Sequence, residues 1–255
     1  MRIAEKFNEL RRRDEGALIA YVCAGDGDTP EIVRALVRAG ADIIELGLPF
    51  SDPVADGPTI QASIQRALDS GMNPDKYFRM VKELDVTIPL IVMTYYNLIF
   101  KRGLKKFVKD CQDSGINGII VPDLPLEESE ELAAHCIDND IDLIFLIAPT
   151  TIGDRLQKII TKGTGFLYLV SRLGVTGAKA DVAVSTKILL DRVKTDTPKA
   201  VGFGISSGRQ AKEIIQMGAD GVIVGSALVD IIASNNNVTQ RLELLAREIK
   251  SGLKE

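Results

Sequence analysis

Three carboxylates fall within a span of twelve residues in ELGLPFSDPVADGPTIQAS (45–63): Glu45, Asp52 and Asp56. Glu45 ends a run, ADIIELG (41–47), with the β-branched density of a buried strand. A carboxylate there costs several kcal/mol unless a cation pairs with it or it keeps its proton. With no lysine or arginine nearby in the run, its chemistry is that of a general acid/base whose pKa is raised by desolvation. Asp52 and Asp56 sit in SDPVADGP, where DP and DGP are turn chemistry and an aspartate commonly makes an Asx turn or caps a helix. That bland role suits Asp52. Spacing alone leaves Asp56 open, because Pro58 and Thr59 already begin the next helix.

Two further segments could grip a phosphate. GFGISSG (202–208) and VGSALVDII (224–232) each follow an apolar run, and the second opens a short helix. Glycines before a helix N-terminus offer inward-facing N–H groups with no Cβ in the way. Gly204, Gly225 and Ser226 are the candidate ligands, with Gly177 of RLGVTG (172–177) closing the other side and Thr176 beside it in the pocket. Tyr168, in GFLYLVS (165–171), brings a phenol to the end of another run, either as an aromatic filler of the core or as a working group. The absences narrow the chemistry. The runs offer no lysine except Lys199 at the wrong end of its run, so a Schiff-base aldolase lacks its nucleophile. One histidine, His135, cannot build a catalytic metal site. There is no Gly-x-Ser-x-Gly elbow and no dinucleotide fingerprint after the first run. Cofactor-free acid–base chemistry on a phosphate-bearing substrate is what remains.

The elements that must position these groups alternate regularly. Eight apolar runs, at 18–23, 41–47, 88–95, 116–122, 141–149, 165–171, 199–204 and 220–226, alternate with amphipathic segments of helical period. The runs are apolar on both faces, as expected of strands covered by helices outside and by packed side chains inside. TPEIVRALVRAG reads as a helix with Thr29 as N-cap, Pro30 in the first turn and Gly40 at the end. Repeated βα units imply parallel strands and right-handed crossovers. Eight of them in 255 residues without a linker predict one α/β domain, 1–255, with the (β/α)8 barrel fold. An extra N-terminal helix, residues 2–13, should close the barrel floor, and a short phosphate-binding helix should follow strand eight. In such a barrel the chemistry sits in the loops after the strands, which is where the candidate residues lie.

Composition adds limits. The net charge of −4 gives no basic field for nucleic acid or anionic lipid. No apolar stretch approaches the roughly 20 residues of a membrane span, and the charged start reads as a helix rather than a signal peptide. Cys23, Cys111 and Cys136 lack metal-ligand spacing and read as reduced thiols of a cytoplasmic protein.

ELGLPFSDPVADGPTIQ resembles the signature of the tryptophan synthase α-chain family. The likeness continues in family order through IAYVCAGD, MTYYN (93–97), VPDLPLEE (121–128), LVSRLGVTGA (169–178), GFGIS (202–206) and GVIVGSALV (221–229). It implies a (β/α)8 barrel that cleaves indole-3-glycerol phosphate into indole and glyceraldehyde 3-phosphate. Glu45 then matches the family's catalytic glutamate, Asp56 its catalytic aspartate, and Tyr168 the tyrosine that assists near the substrate. Gly177, Gly204, Gly225 and Ser226 fall on phosphate-binding positions, and Tyr21 where the family has an aromatic at the pocket. The family commonly has proline after the GD of the first loop, whereas AGDGD has Gly27, which should loosen that loop.

The implied mechanism has Glu45 protonate indole C3 and later take the C3′ hydroxyl proton, while Asp56 holds the indole N–H and balances the charge developing there. The Asp56 loop and 173–184 are expected to close over substrate. The resemblance also implies no cofactor in this chain. Its partner is a tryptophan synthase β chain that carries pyridoxal phosphate, in an α2β2 heterotetramer, with 52–58, MTYYN and VPDLPLEE as candidate contacts. Two rival readings are another phosphate-binding barrel enzyme of histidine or tryptophan synthesis, and a non-catalytic docking or activating subunit.

Overall fold

The β-branched runs form strands because each side of each strand meets apolar cover. In the computed structural model, which describes residues 2–170, 179–202 and 204–254, the strands are β1 (Ala17–Cys23), β2 (Ile43–Gly47), β3 (Leu90–Met93) and β4 (Gly118–Ile120). The fifth, β5, comes in two pieces, Asp142–Ile144 and Leu146–Ile147; β6 (Leu167–Val170), β7 (Lys199–Gly202) and β8 (Gly221–Val224) follow. All pair in parallel in the order β5–β4–β3–β2–β1–β8–β7–β6–β5. The first piece of β5 pairs with β4 and the second with β6, so the sheet returns to its own start through Phe145. This is the expected (β/α)8 barrel with one strand interrupted. No helix among the described residues is long and apolar enough to cross a membrane.

Strand period decides what fills the barrel. Alternate residues point inward, and Ile19, Ile43, Ile91, Ile120, Ile144, Phe166, Ala200 and Ile223 pack into one interior cluster. The N-terminal helix Ile3–Arg11 inserts Ile3, Phe7 and Leu10 into that cluster and seals the lower end. One step further up the same inward faces come Tyr21 above Ile19, Glu45 above Ile43, and Tyr168 above Phe166. A cavity opens at this upper layer. A larger cluster, including Leu18, Ile44, Phe107 and Leu169, packs the outer strand faces against the helices. The two clusters explain why the runs are apolar throughout rather than alternating.

Two polar devices fix the ends. At the lower end, Lys250 of the C-terminal helix Val238–Gly252 pairs with Asp42 at 2.8 Å and Glu15 at 3.1 Å, and Asp42 also accepts the Leu18 N–H. At the upper end, Arg66 grips Asp26 through two bonds of 2.7 Å, and Asp26 is only 3% exposed. Such a bidentate grip satisfies a carboxylate that burial alone would destabilise. It ties the loop after β1 to the helix Pro58–Asp69, whose start follows Asp56 directly.

The first loop also departs from expectation in detail. Asp28, not Thr29, caps the helix Thr29–Arg38, accepting the Glu31 N–H at 3.2 Å. The Thr29 hydroxyl accepts the Gly25 N–H at 2.9 Å instead. A cap needs extended-side backbone before the first helical residue, and the chain reaches that one position early. Gly27 has φ +76°, a region closed to proline, whose ring locks φ near −65°. The loop is thus built around its glycine and held by Thr29 and Arg66.

Candidate active site

The upper layer encloses a cavity of about 520 Å³ bordered by Tyr21, Glu45, Asp56, Tyr168, Gly204, Gly225 and Ser226. Seven candidate residues from β1, β2, β6 and the loops after β2, β7 and β8 thereby meet in one place. Ile60, Met93, Pro122, Leu146 and Ile223 supply apolar walls that the sequence reading did not name. Gly177 and Thr176 lie outside the described residues, as does the first half of the loop 173–184 expected to move; its second half is not loop but the start of the helix Lys179–Arg192.

Glu45 sits mid-strand between Tyr21 of β1 and Ile91 of β3. It is 1% exposed, and its Oε2 has no hydrogen-bond partner among the described residues. Burial, and secondarily the Asp56 carboxylate, pushes its pKa from 4.5 up to about 8. The carboxyl group therefore favours its protonated form at neutral pH.

Asp56 is half-buried near the end of a loop in which Ser51, Asp52, Val54, Ala55 and Gly57 are exposed. Burial raises its pKa, and a hydrogen bond from the Tyr95 hydroxyl, 2.6 Å from Oδ2, opposes that rise. Its backbone is fixed as well: its N–H bonds Pro53 O at 3.1 Å and its carbonyl accepts Gln61 Nε2 at 2.8 Å. Asp52, by contrast, is exposed and bonded by the neighbouring Ser51 hydroxyl, and its carbonyl accepts the Val54 N–H. It is a turn residue away from the cavity.

The two phenols are held against glycines. A Cβ on Gly47 would stand 2.5 Å from Tyr21 Oη, and one on Gly202 would stand 2.5 Å from Tyr168 Oη. Only hydrogen at these strand positions lets each ring lie across its neighbour. Burial, then nearby carboxylates, holds the Tyr168 pKa well above 10, so the phenol remains a donor. Tyr21 is 6% exposed and shifted in the same direction, again mainly by burial.

Also lining the cavity, Gly204 has φ +53° with open space where a side chain would be. Gly225 precedes the helix Ser226–Ala233, and no side chain caps that helix. Its first N–H groups and the positive end of its dipole are thus available to an anion. The cavity is thus lined by a buried carboxyl group, a second carboxylate from the loop after β2, two phenols and the glycine-led start of a helix. The cysteines are all buried and free, and burial pushes the Cys23 and Cys136 thiols up to about 12. Among the described residues, no group of three or more His, Cys, Asp or Glu side chains is placed to hold a metal ion.

Known proteins match this chain over its full length. The family model for the tryptophan synthase alpha chain matches residues 7–254. The tryptophan synthase alpha chain of Methanosarcina barkeri is 61% identical over 99% of this chain and 97% of the relative. That of Methanocaldococcus jannaschii is 50% identical over 91% and 85%. Among solved structures, Mycobacterium tuberculosis tryptophan synthase superposes with a TM-score of 0.91 at 37% identity, covering 100% of this chain and 98% of that one. The tryptophan synthase subunit alpha of Legionella pneumophila str. Paris gives 0.89 at 30% identity, covering 98% and 97%. The barrel, its open upper layer and these matches lead to one conclusion: the chain belongs to the tryptophan synthase alpha chain family.

Proposed function

We propose that this chain, as a single barrel domain spanning 1–255, cleaves indole-3-glycerol phosphate to indole and glyceraldehyde 3-phosphate with its own side chains. The enzyme is a carbon–carbon lyase, the alpha subunit of tryptophan synthase. The observation that carries the assignment of roles is the buried Glu45, its Oε2 without a partner among the described residues, lining the same cavity as the Asp56 carboxylate.

Direct rupture of the bond between indole C3 and the glycerol chain would expel a poor carbanion. Protonation of C3 by the Glu45 carboxyl converts the ring into an electron-poor indolenine. The ring nitrogen now carries positive charge, which the Asp56 carboxylate balances while accepting the indole N–H. Glu45, now a carboxylate, removes the C3′ hydroxyl proton. The electrons of that O–H bond form the aldehyde, and the C3–C3′ pair returns to the indole ring. Glu45 regains its proton in this last step, so no net proton is consumed. Tyr168 donates into the pocket beside the reacting carbon. Tyr21 covers the ring, with Thr176 at the same pocket. Gly177, Gly204, Gly225 and Ser226 hold the phosphate, and this remote binding energy fixes the pose for proton delivery.

In this reading the chain itself needs no cofactor. Pyridoxal phosphate belongs to a β chain that joins the released indole to serine, in an α2β2 assembly in the cytoplasm. The loop 52–58, MTYYN and VPDLPLEE border the cavity mouth. Val54, 81% exposed, is an apolar side chain free to enter such a contact, and Phe100 in the helix after β3 is another. The test is incubation of the purified chain with indole-3-glycerol phosphate, with and without a β chain. Equal amounts of indole and glyceraldehyde 3-phosphate are expected. No indole under either condition would favour a different phosphate-binding barrel enzyme or a docking subunit.

A further inference from the structure

The loop that carries Asp56 is exposed along most of its length, yet its carboxylate is directed inward. The restraint comes from the end of β3. Thr94 Oγ1 donates to Leu48 O at 3.1 Å, and the Leu48 N–H donates to Met93 O at 2.9 Å, which fixes the start of the loop to that strand end. The Phe50 ring then lies 5.4 Å from the Tyr95 ring, tilted by 31°. Five residues later the loop returns to the same side chain. The Ala55 N–H donates to Tyr95 Oη at 3.0 Å, and Tyr95 Oη donates to Asp56 Oδ2 at 2.6 Å. Tyr95 itself is only 3% exposed, and the next residue is anchored in turn by the Tyr96 N–H to Asp123 Oδ1 at 2.9 Å.

A phenol has one proton to give. Here the hydroxyl accepts from the backbone and must therefore donate to the carboxylate, so the direction of the bond is set by the loop itself. A donor fixed in this way suits an ionised acceptor better than a protonated one. We infer that Tyr95 is a positioning residue for the cleavage, fastening the catalytic loop at both ends and aiming the Asp56 carboxylate at the indole N–H before substrate arrives. This rests on the assignment of Asp56 to that N–H.

The inference separates from a merely structural role through pH and through coupling. Tyr95→Phe keeps the ring against Phe50 and removes both hydroxyl bonds. A lost hydrogen bond to a charged group corresponds to a fall in kcat/KM of roughly 10- to 100-fold. Among the described residues, Glu45, Tyr21, Tyr168 and Cys23 are the other titratable groups that act on or respond to Asp56, and all of them stay in place. Burial pushes Asp56 up and Tyr95 pulls it down. Removing the hydroxyl therefore moves the acid limb of kcat/KM to higher pH. Site-specific replacement of Tyr95 by a ring-fluorinated tyrosine, which retains the fold and strengthens the donor, moves the same limb to lower pH.

Affinity for a non-cleavable 3-indolylalkyl phosphate should stay within about twofold, and coupling in the rate gives the second readout. Y95F should lower kcat/KM at least about tenfold in the otherwise native chain and less than about twofold in a D56N background. An acid limb that neither variant moves, or an equal loss in both backgrounds, overturns the inference. Wild-type turnover by D56N alone would instead remove the assignment of Asp56 on which the inference stands.

Discussion

Glu45→Gln is expected to lower indole release by roughly 10²- to 10⁴-fold, the range of one positioned acid–base catalyst. The affinity for the indolylalkyl phosphate should change far less, since glutamine keeps the shape and the proposed phosphate contacts lie on other elements. The size of the effect follows from what no other group can supply. Glu45 borders the cavity with an unpartnered oxygen, and its pKa near 8 leaves it protonated where the reaction begins and ionisable once the proton is spent. For the wild type, kcat/KM should accordingly fall as pH rises through about 8, where the acid is lost. It should fall again at low pH, where Asp56 takes a proton.

The same substitution has a signed effect on stability. In the unfolded chain a glutamate ionises near 4.5, whereas folded Glu45 holds its proton to about 8. Over that window the folded state binds more protons than the unfolded one, so wild-type stability declines as pH rises. E45Q has no proton to lose. The two proteins should melt alike below about pH 4.5 and diverge above it, E45Q being more stable by on the order of 3 kcal/mol at pH 7. Loss of activity with a gain in stability is the signature of a working group in a strained setting. A parallel loss of both would mark Glu45 as structural.

Asp56→Asn carries the second large effect, a fall in kcat of roughly 10²- to 10³-fold, comparable to losing a preorganised stabiliser of developing charge. Asparagine still accepts the Tyr95 hydrogen bond, so the loop remains fastened. What disappears is the negative charge, and positive charge appears on the indole nitrogen only after C3 is protonated. An interaction made chiefly at that stage lowers kcat and kcat/KM together. Steady-state kinetics check this directly. A rise in KM with kcat unchanged would show that Asp56 binds the ground state and contributes nothing to the chemistry.

Much of the frame was legible because it rests on local signals. Every β-branched run became a strand, since a barrel strand needs apolar residues on both faces and few other settings do. Glu45 stands out for the converse reason: an acid in the middle of such a run, unlike Asp42 at its start, has no cheap structural explanation, and period two places it one layer above Ile43. Finer features rest on packing that no pattern encodes. The break of β5 at Phe145 reflects where the sheet closes, and the cap moved from Thr29 to Asp28 because loop geometry chose between two competent residues. In the sequence Tyr95 belongs only to MTYYN, a candidate contact for the partner chain. Its bond to Asp56 joins residues 39 positions apart, and nothing in MTYYN announces that contact. Gly47 and Gly202 likewise reveal their use only when the phenols of Tyr21 and Tyr168 are seen lying across them.

Cleavage turns on the protonation of one carboxyl group, which infrared difference spectroscopy can follow with E45Q as the blank. A protonated-carboxyl band assigned to Glu45 should persist through neutrality and half-disappear near pH 8. Disappearance of that band near pH 4.5 would mean an ordinary, solvated glutamate, and the proposed proton delivery to the indole ring would lose its source.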